Sequence, residues 1–219
     1  MFINKIGYSH WEVGKNNHDY GFEKDNIKCV VDGCSEGLHS EVGAKLYCYL
    51  LKNSNGILAE QKIFQKFEDI IDTGLETNNK EWAKTILNYF LFTILTLTDR
   101  VNLWEIRTCG DGVIIKQTWD DKFEYDIIEQ NGKPKYYAYN YVSNEYLTDY
   151  QNGVEFEQKI IFKQDYKAVG IASDGLQYIL NSEFKDEFEE YLLDRKEVKI
   201  NRLINREHKY FKDDITIVI

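Results

Sequence analysis

Carboxylates recur in this chain where apolar, β-like runs end. Val30-Val31-Asp32-Gly33, Ile171-Ala172-Ser173-Asp174-Gly175 and Lys212-Asp213-Asp214-Ile215-Thr216 each place an aspartate at such a boundary, and Asp19 stands within Asn17-His18-Asp19-Tyr20. Strand ends hold side chains still, and carboxylates gathered there repel one another unless a cation sits between them. Taken singly, an Asp-Gly pair after a β run is only a turn, because Asp tolerates the tight geometry and Gly supplies positive φ. Three such motifs in one domain point instead to a divalent-metal site. Asp32, Asp174 and Asp213 offer oxygen acceptors only, which suit Mg²⁺ or Mn²⁺ and not a structural zinc. No H-E-x-x-H, P-loop or G-x-G-x-x-G motif competes with this reading.

The elements that must position these groups follow from hydrophobic period. The first third reads as strand, strand, helix: Ile27–Asp32 is a compact β run, and Ser40–Lys52 sets Val42, Leu46, Tyr49 and Leu50 near helical spacing. Leu58–Thr73 is expected to continue as a helix with Ile63, Phe67, Ile70 and Ile71 on one face, and Asn79–Leu87 as a further helical stretch. From Tyr89 the pattern changes, and Leu91 to Thr98 suits a strand buried on both faces. Turns at Asp99–Asn102 and Gly110–Gly112 lead into Leu103–Cys109 and Val113–Trp119, a β-meander. Residues 120–152, with Gly132, Pro134 and the run Tyr136-Tyr137-Ala138-Tyr139-Asn140-Tyr141, read as a surface, flap-like excursion carrying short strands. Its tyrosines suit either a recognition surface or a self-packed hairpin. Val154–Phe162, Tyr166–Ala172 and Asp214–Ile219 are expected strands, and Gly175–Leu180, Glu183–Leu193 and Glu197–Glu207 expected helices. Strands with helices in blocks and a central meander predict an α+β layered domain rather than a βαβ winding, with residues 1–219 as one domain.

Composition narrows the partners. A formal charge of −10 without a dense Lys/Arg run disfavours nucleic acid and polyanionic membranes. Cysteines 29, 34, 48 and 109 have neither C-x-x-C nor zinc-ribbon spacing, which suits reduced thiols in the cytoplasm. The first residues lack the plan of a signal peptide, and the apolar stretch around Leu87–Leu97 is too short to span a bilayer.

The ordered set of motifs resembles the type-2C metal-dependent serine/threonine protein phosphatases, particularly their compact bacterial branch. The matching pieces are Asn17-His18-Asp19-Tyr20; Val30 to Gly33 followed by Ser40-Glu41-Val42-Gly43-Ala44; Cys109-Gly110-Asp111-Gly112; Ala172 to Gly175; and Asp213-Asp214-Ile215-Thr216. Asn144-Glu145-Tyr146-Leu147-Thr148-Asp149 also resembles a segment of that branch. The resemblance implies two antiparallel sheets packed as a sandwich, flanked by helices, with two Mn²⁺ or Mg²⁺ ions at one end. Asp32 would bridge both ions, the Gly33 carbonyl would bind one, Asp174 and Asp213 would complete the first, and Asp19 would hold the second directly or through water. Asp111 lies where some members hold a third, weaker ion, and Asp214 stands where the family usually has Asn. The chemistry the resemblance implies is two-metal hydrolysis of a phosphoprotein monoester by a shared water, with a cognate Ser/Thr kinase or its target as the expected partner.

Departures from the family pattern leave alternatives open. The phosphate-contacting Arg usual five residues before the first aspartate is replaced by Gly14, with Lys15 adjacent as a point charge that lacks the bidentate fork. The Arg usual after the Gly-Asp-Ser triplet is absent at Val113, and Cys34 stands where animal members place a proposed acid histidine. His39 is the nearby alternative for that acid or an exposed loop histidine, and His18 is either a ligand or a packing residue. Besides the active phosphatase, the sequence admits a pseudophosphatase that keeps the fold as a binding scaffold, or a hydrolase of small phosphoesters.

Overall fold

The computed structural model describes residues 1–35, 37–54, 80–130, 135–142 and 153–219, with single positions 62, 65, 66 and 69. Among these, ten strands pair antiparallel into two five-stranded sheets. The first sheet contains β1 (Phe2–Lys5), β6 (Gly112–Gln117), β7 (Phe123–Ile128), β9 (Ala168–Ala172) and β10 (Ile215–Val218), in the order β1-β10-β9-β6-β7. The second contains β2 (Tyr20–Lys24), β3 (Ile27–Gly33), β4 (Phe92–Asp99), β5 (Leu103–Cys109) and β8 (Glu157–Phe162), in the order β2-β3-β4-β5-β8.

Alternation along the strands decides how the layers stack. On β4, Leu95 and Leu97 join Val30, Ile106, Ile114, Ile171 and Val218 in the core between the sheets. Phe92 and Ile94, one pleat away, face the opposite side and pack against two helices, α2 (Ser40–Asn53) and α3 (Lys80–Tyr89). The outer face of the first sheet, through Ile3, Val113, Ile115, Ile215 and Ile217, is covered by α4 (Leu176–Leu180), α5 (Lys185–Leu193) and α6 (Glu197–Arg206). A short α1 (Tyr8–Glu12) precedes β2. The result is the expected α+β sandwich flanked by helices, and β4 is buried on both faces as its sequence predicts.

The expected strands and helices recur with ends shifted by a few residues, and most of the helix expected over 58–73 lies outside the described residues. The excursion is shorter at its start than the sequence suggests. Residues 123–128 are edge strand β7, registered along β6 from Gly112↔Ile128 to Gln117↔Phe123. The tyrosine run forms a 3₁₀ turn over Tyr137–Tyr141. Tyr136, Tyr137 and Ala138 are buried in the core beneath the second sheet, and Trp82 Nε1 donates to the Tyr141 carbonyl at 3.0 Å. Apolar burial thus occupies the tyrosines that the sequence left between recognition and hairpin packing; residues 131–134 and 143–152 lie outside the described residues.

Candidate active site

The strand ends that carry the aspartates meet at one end of the sandwich. Asp32 lies near the C-terminal end of β3, opposite Thr93 of β4. Asp174 follows β9 and Asp213 precedes β10; the antiparallel pairs Ile217↔Ala172 and Val218↔Ile171 bring those two ends to the same edge. Ser173 ties them together, its N–H donating to the Thr216 carbonyl at 2.9 Å and its Oγ accepting from the Thr216 N–H at 2.9 Å. Asp111 sits in the turn between β5 and β6, which links the two sheets, and Asp19 immediately precedes β2. Gly175 permits the close approach: a Cβ there would fall 1.9 Å from the Asp214 carbonyl oxygen.

The carboxylates interact as a chain of neighbours. Among the described residues no three His, Cys, Asp or Glu side chains close into one preformed ion cage. Instead Asp32 feels Asp19, Asp174 and Asp213, while Asp174 feels Asp213 and Asp111. Burial is the main cause, and like charge the second, that pushes the Asp19 and Asp32 carboxyls well above the usual range. The same causes push Asp174 up to about 6. Burial also raises Asp213 and Asp111, with Asp214 and Asp213 respectively adding to it. Both Asp19 carboxyl oxygens and Asp174 Oδ1 are buried without a well-formed hydrogen bond among the described residues, although Ser173 and Asp32 lie close enough to Asp19 to oppose its shift. Buried oxygens left in this way are costly unless something positive satisfies them. An all-oxygen set of this kind fits a hard divalent cation.

Asp214 has a different job from its neighbour. It is 1% exposed, with Oδ1 accepting from the Gly7 N–H at 2.6 Å and Oδ2 from the His18 N–H at 2.6 Å. His10 Nδ1 lies 2.9 Å from Oδ2, and this hydrogen bond raises the imidazole pKa despite burial. One carboxylate therefore pins the segment from Gly7 to His18 against the start of β10 and so fixes where Asp19 leads into β2.

Residues 6–206 match the family model described as protein phosphatase 2C. The chain belongs to the protein phosphatase 2C family. It is thereby a phosphoprotein phosphatase by family, acting on phosphorylated protein. Solved phosphatases share its fold across 99% of its length: Stp1 from Staphylococcus aureus at 16% identity, TM-score 0.62 and 92% of that chain; and PstP/Ppp from Mycobacterium tuberculosis at 14%, 0.58 and 95%. A third, the catalytic domain of PstP in complex with two manganese ions, matches at 15% identity and TM-score 0.56, over 99% of this chain and 94% of that one. No curated protein sequence matches.

Within this member of the protein phosphatase 2C family, the sequence-predicted residues do not all gather at the site. Gly14 adopts φ +69°, with nothing within 4 Å of where a Cβ would stand, so the backbone has departed locally from what an Arg favours. Lys15 is exposed and its charge acts on His10 and His18. His39 is exposed at the start of α2 with its ring 5.0 Å from that of Tyr89. His18 is buried, its ring tilted against that of His10 at 4.3 Å between centroids, and its pKa is lowered by burial and by His10. Cys34 lies beneath Tyr136, whose hydroxyl is raised first by burial and then by that thiol. Sequence reasoning missed His10, which lies 204 positions from the aspartate it holds and carries no motif around it. It also missed the cleft of about 640 Å³ that opens beside Asp174 and Asp213, because its walls come from α4, the turn after it and the 3₁₀ turn His208–Tyr210.

Proposed function

We propose that this chain removes phosphate from serine and threonine side chains of proteins, using two Mn²⁺ or Mg²⁺ ions held by Asp19, Asp32, the Gly33 carbonyl, Asp174 and Asp213. The observation that carries the proposal is the set of unsatisfied, buried carboxylate oxygens on Asp19 and Asp174 within an all-oxygen cluster. Asp32, which feels Asp19, Asp174 and Asp213, is the residue we assign to both ions. Asp111, coupled to Asp174 and Asp213, is assigned to a weaker third.

When bound, the ions supply charge neutralisation at the phosphoryl oxygens and acidify the water that attacks phosphorus in line. The protein's own part is positional. Asp214 and Ser173 hold the segments that bear Asp19, Asp174 and Asp213, and the strand ends keep those carboxylates from swinging into solvent. Lys15, an exposed point charge next to Gly14, is the cation we assign to the incoming phosphate. A cognate kinase or its target is the substrate we favour. The cysteines form no disulfide, which supports a cytoplasmic setting. No helix among the described residues is long and apolar enough to cross a membrane.

The test is turnover of p-nitrophenyl phosphate and of phosphothreonine peptides with Mn²⁺, and its arrest by EDTA. Asp32→Ala is expected to lower kcat at least ~1,000-fold, since removing an ion forfeits several kcal/mol of charge stabilisation. Unchanged turnover in that variant, or in EDTA, defeats the proposal.

A further inference from the structure

We propose that the cleft beside Asp174 and Asp213 is a subsite for an arginine flanking the phosphorylated residue, an assignment that rests on the phosphatase reading above. The cleft is lined by those two aspartates and, leading away from them, by Gln177, Tyr178, Glu183 and Tyr210. Its volume of about 640 Å³ falls in the range of ligand clefts, so it accommodates more than a phosphoryl group.

The lining is complementary to a planar cation. Among the described residues no Lys or Arg lines it. Glu183 is exposed and makes no ion pair with the described residues, which leaves its carboxylate available to a partner. Tyr178 and Tyr210 are 38% and 62% exposed, offering ring faces to whatever enters. Tyr210 is braced by Phe184, edge-to-face at 5.8 Å, and Phe184 in turn meets buried Phe211 at 6.4 Å. Guanidinium groups stack on such faces while pairing bidentately with a carboxylate, which an ammonium cannot do. Of the nearby cations, Lys185 is directed to Glu189 at 3.8 Å and to the Tyr125 ring, while Lys209 and Lys212 flank Tyr210 without lining the cleft. The overall charge of −10 steers a basic segment inward and repels an acidic one. In the ion-loaded protein Asp174 and Asp213 are engaged by metal, so Glu183 is the carboxylate left to select the flank.

Two phosphothreonine peptides that differ only in carrying Arg or Glu beside the phosphoresidue provide the measurement, in Mn²⁺, as kcat/KM and as binding by fluorescence anisotropy. The protein is expected to favour the Arg peptide about tenfold, the combined effect of one exposed ion pair and one cation–π contact. Glu183→Lys is expected to abolish or invert that ratio, and Tyr210→Ala to reduce it severalfold through KM. Equal handling of the two peptides, or a preference that survives Glu183→Lys, overturns the subsite. Absence of p-nitrophenyl phosphate turnover by the unmodified protein would count against the phosphatase reading alone. Anisotropy then decides the subsite by the same two comparisons.

Discussion

Asp174 and Asp214 show how similar groups near one edge are set to opposite tasks by their partners. Asp174 is half-buried beside Asp213 and Asp111 with one buried, unsatisfied oxygen, and its carboxyl is raised from 3.8 to about 6. A rise of that size favours the protonated form by ~3 kcal/mol. The folded chain then binds more protons than the unfolded one between pH ~4 and ~6, so in metal-free protein this group's contribution is full below that window and lost as pH rises through it. Asp174→Asn removes the penalty. In EDTA at pH 8 the variant is expected to melt higher than the parent, by up to ~3 kcal/mol, with the gap closing at pH 4, while activity disappears. Thermal melts at the two pH values check this, and a gap independent of pH contradicts it. Asp214, by contrast, satisfies the Gly7 and His18 N–H groups and His10. Asp214→Ala orphans buried donors and is expected to cost about 3–5 kcal/mol of stability, read as a shift in denaturation midpoint. Sequence spacing points to Asp19, Asp32, Asp174 and Asp213 because strand-end motifs are local. It is silent on the duty of Asp214, whose partners are some two hundred positions away.

At the scale of elements, the site depends on how closely three segments approach: the β9–α4 turn, the lead into β10 and the loop before β2. Gly175 is the contact point, since a methyl there meets the Asp214 carbonyl oxygen at 1.9 Å, too close for any side chain to yield. Gly175→Ala is expected to cost about 1–3 kcal/mol and to lower kcat by displacing Asp174 and Asp213 together. A variant that keeps full stability and rate would show that the turn can shift without harm. The strands were legible because their signals are period-two patterns: β4 alternates Leu95 and Leu97 toward one layer with Phe92 and Ile94 toward the other. β7 is legible only in part, since the sequence expects short strands in the excursion without placing one in the main sheet. As an edge strand it is largely solvated, Phe123 to Ile128 mixing Glu and Asp with aromatic and aliphatic residues, so the segment reads as a short strand of a polar excursion rather than as part of the sheet. The tyrosine run misled in a different way, since nothing local distinguishes aromatics that will sink under a sheet from those that will face a partner.

For the molecule as a whole, the carboxylates come from both halves of the sandwich. Asp32 lies in β3 and Asp19 just before β2 of the second sheet, Asp174 just after β9 and Asp213 just before β10 of the first, and Asp111 in the turn that joins the sheets. Cations shared by these groups would bridge the sheets at the end where like charges now face one another, adding to the apolar seam of Val30, Leu95, Ile114 and Ile171. Because folded protein presents the cluster and the unfolded chain disperses it, Mn²⁺ is expected to raise stability by ~2.7 kcal/mol at a hundred times its dissociation constant. Asp19 and Asp32, whose carboxyls burial holds well above the usual range, must lose protons to bind, so the gain should shrink as pH falls from 8 to 5. Denaturant titrations with and without Mn²⁺ at both values measure the difference. Asp32→Ala should lose most of the gain at pH 8, because the residue assigned to both ions is gone. A metal-dependent rise that persists in that variant, or that is indifferent to pH, places the cation elsewhere on an acidic surface and removes the bridge between the sheets.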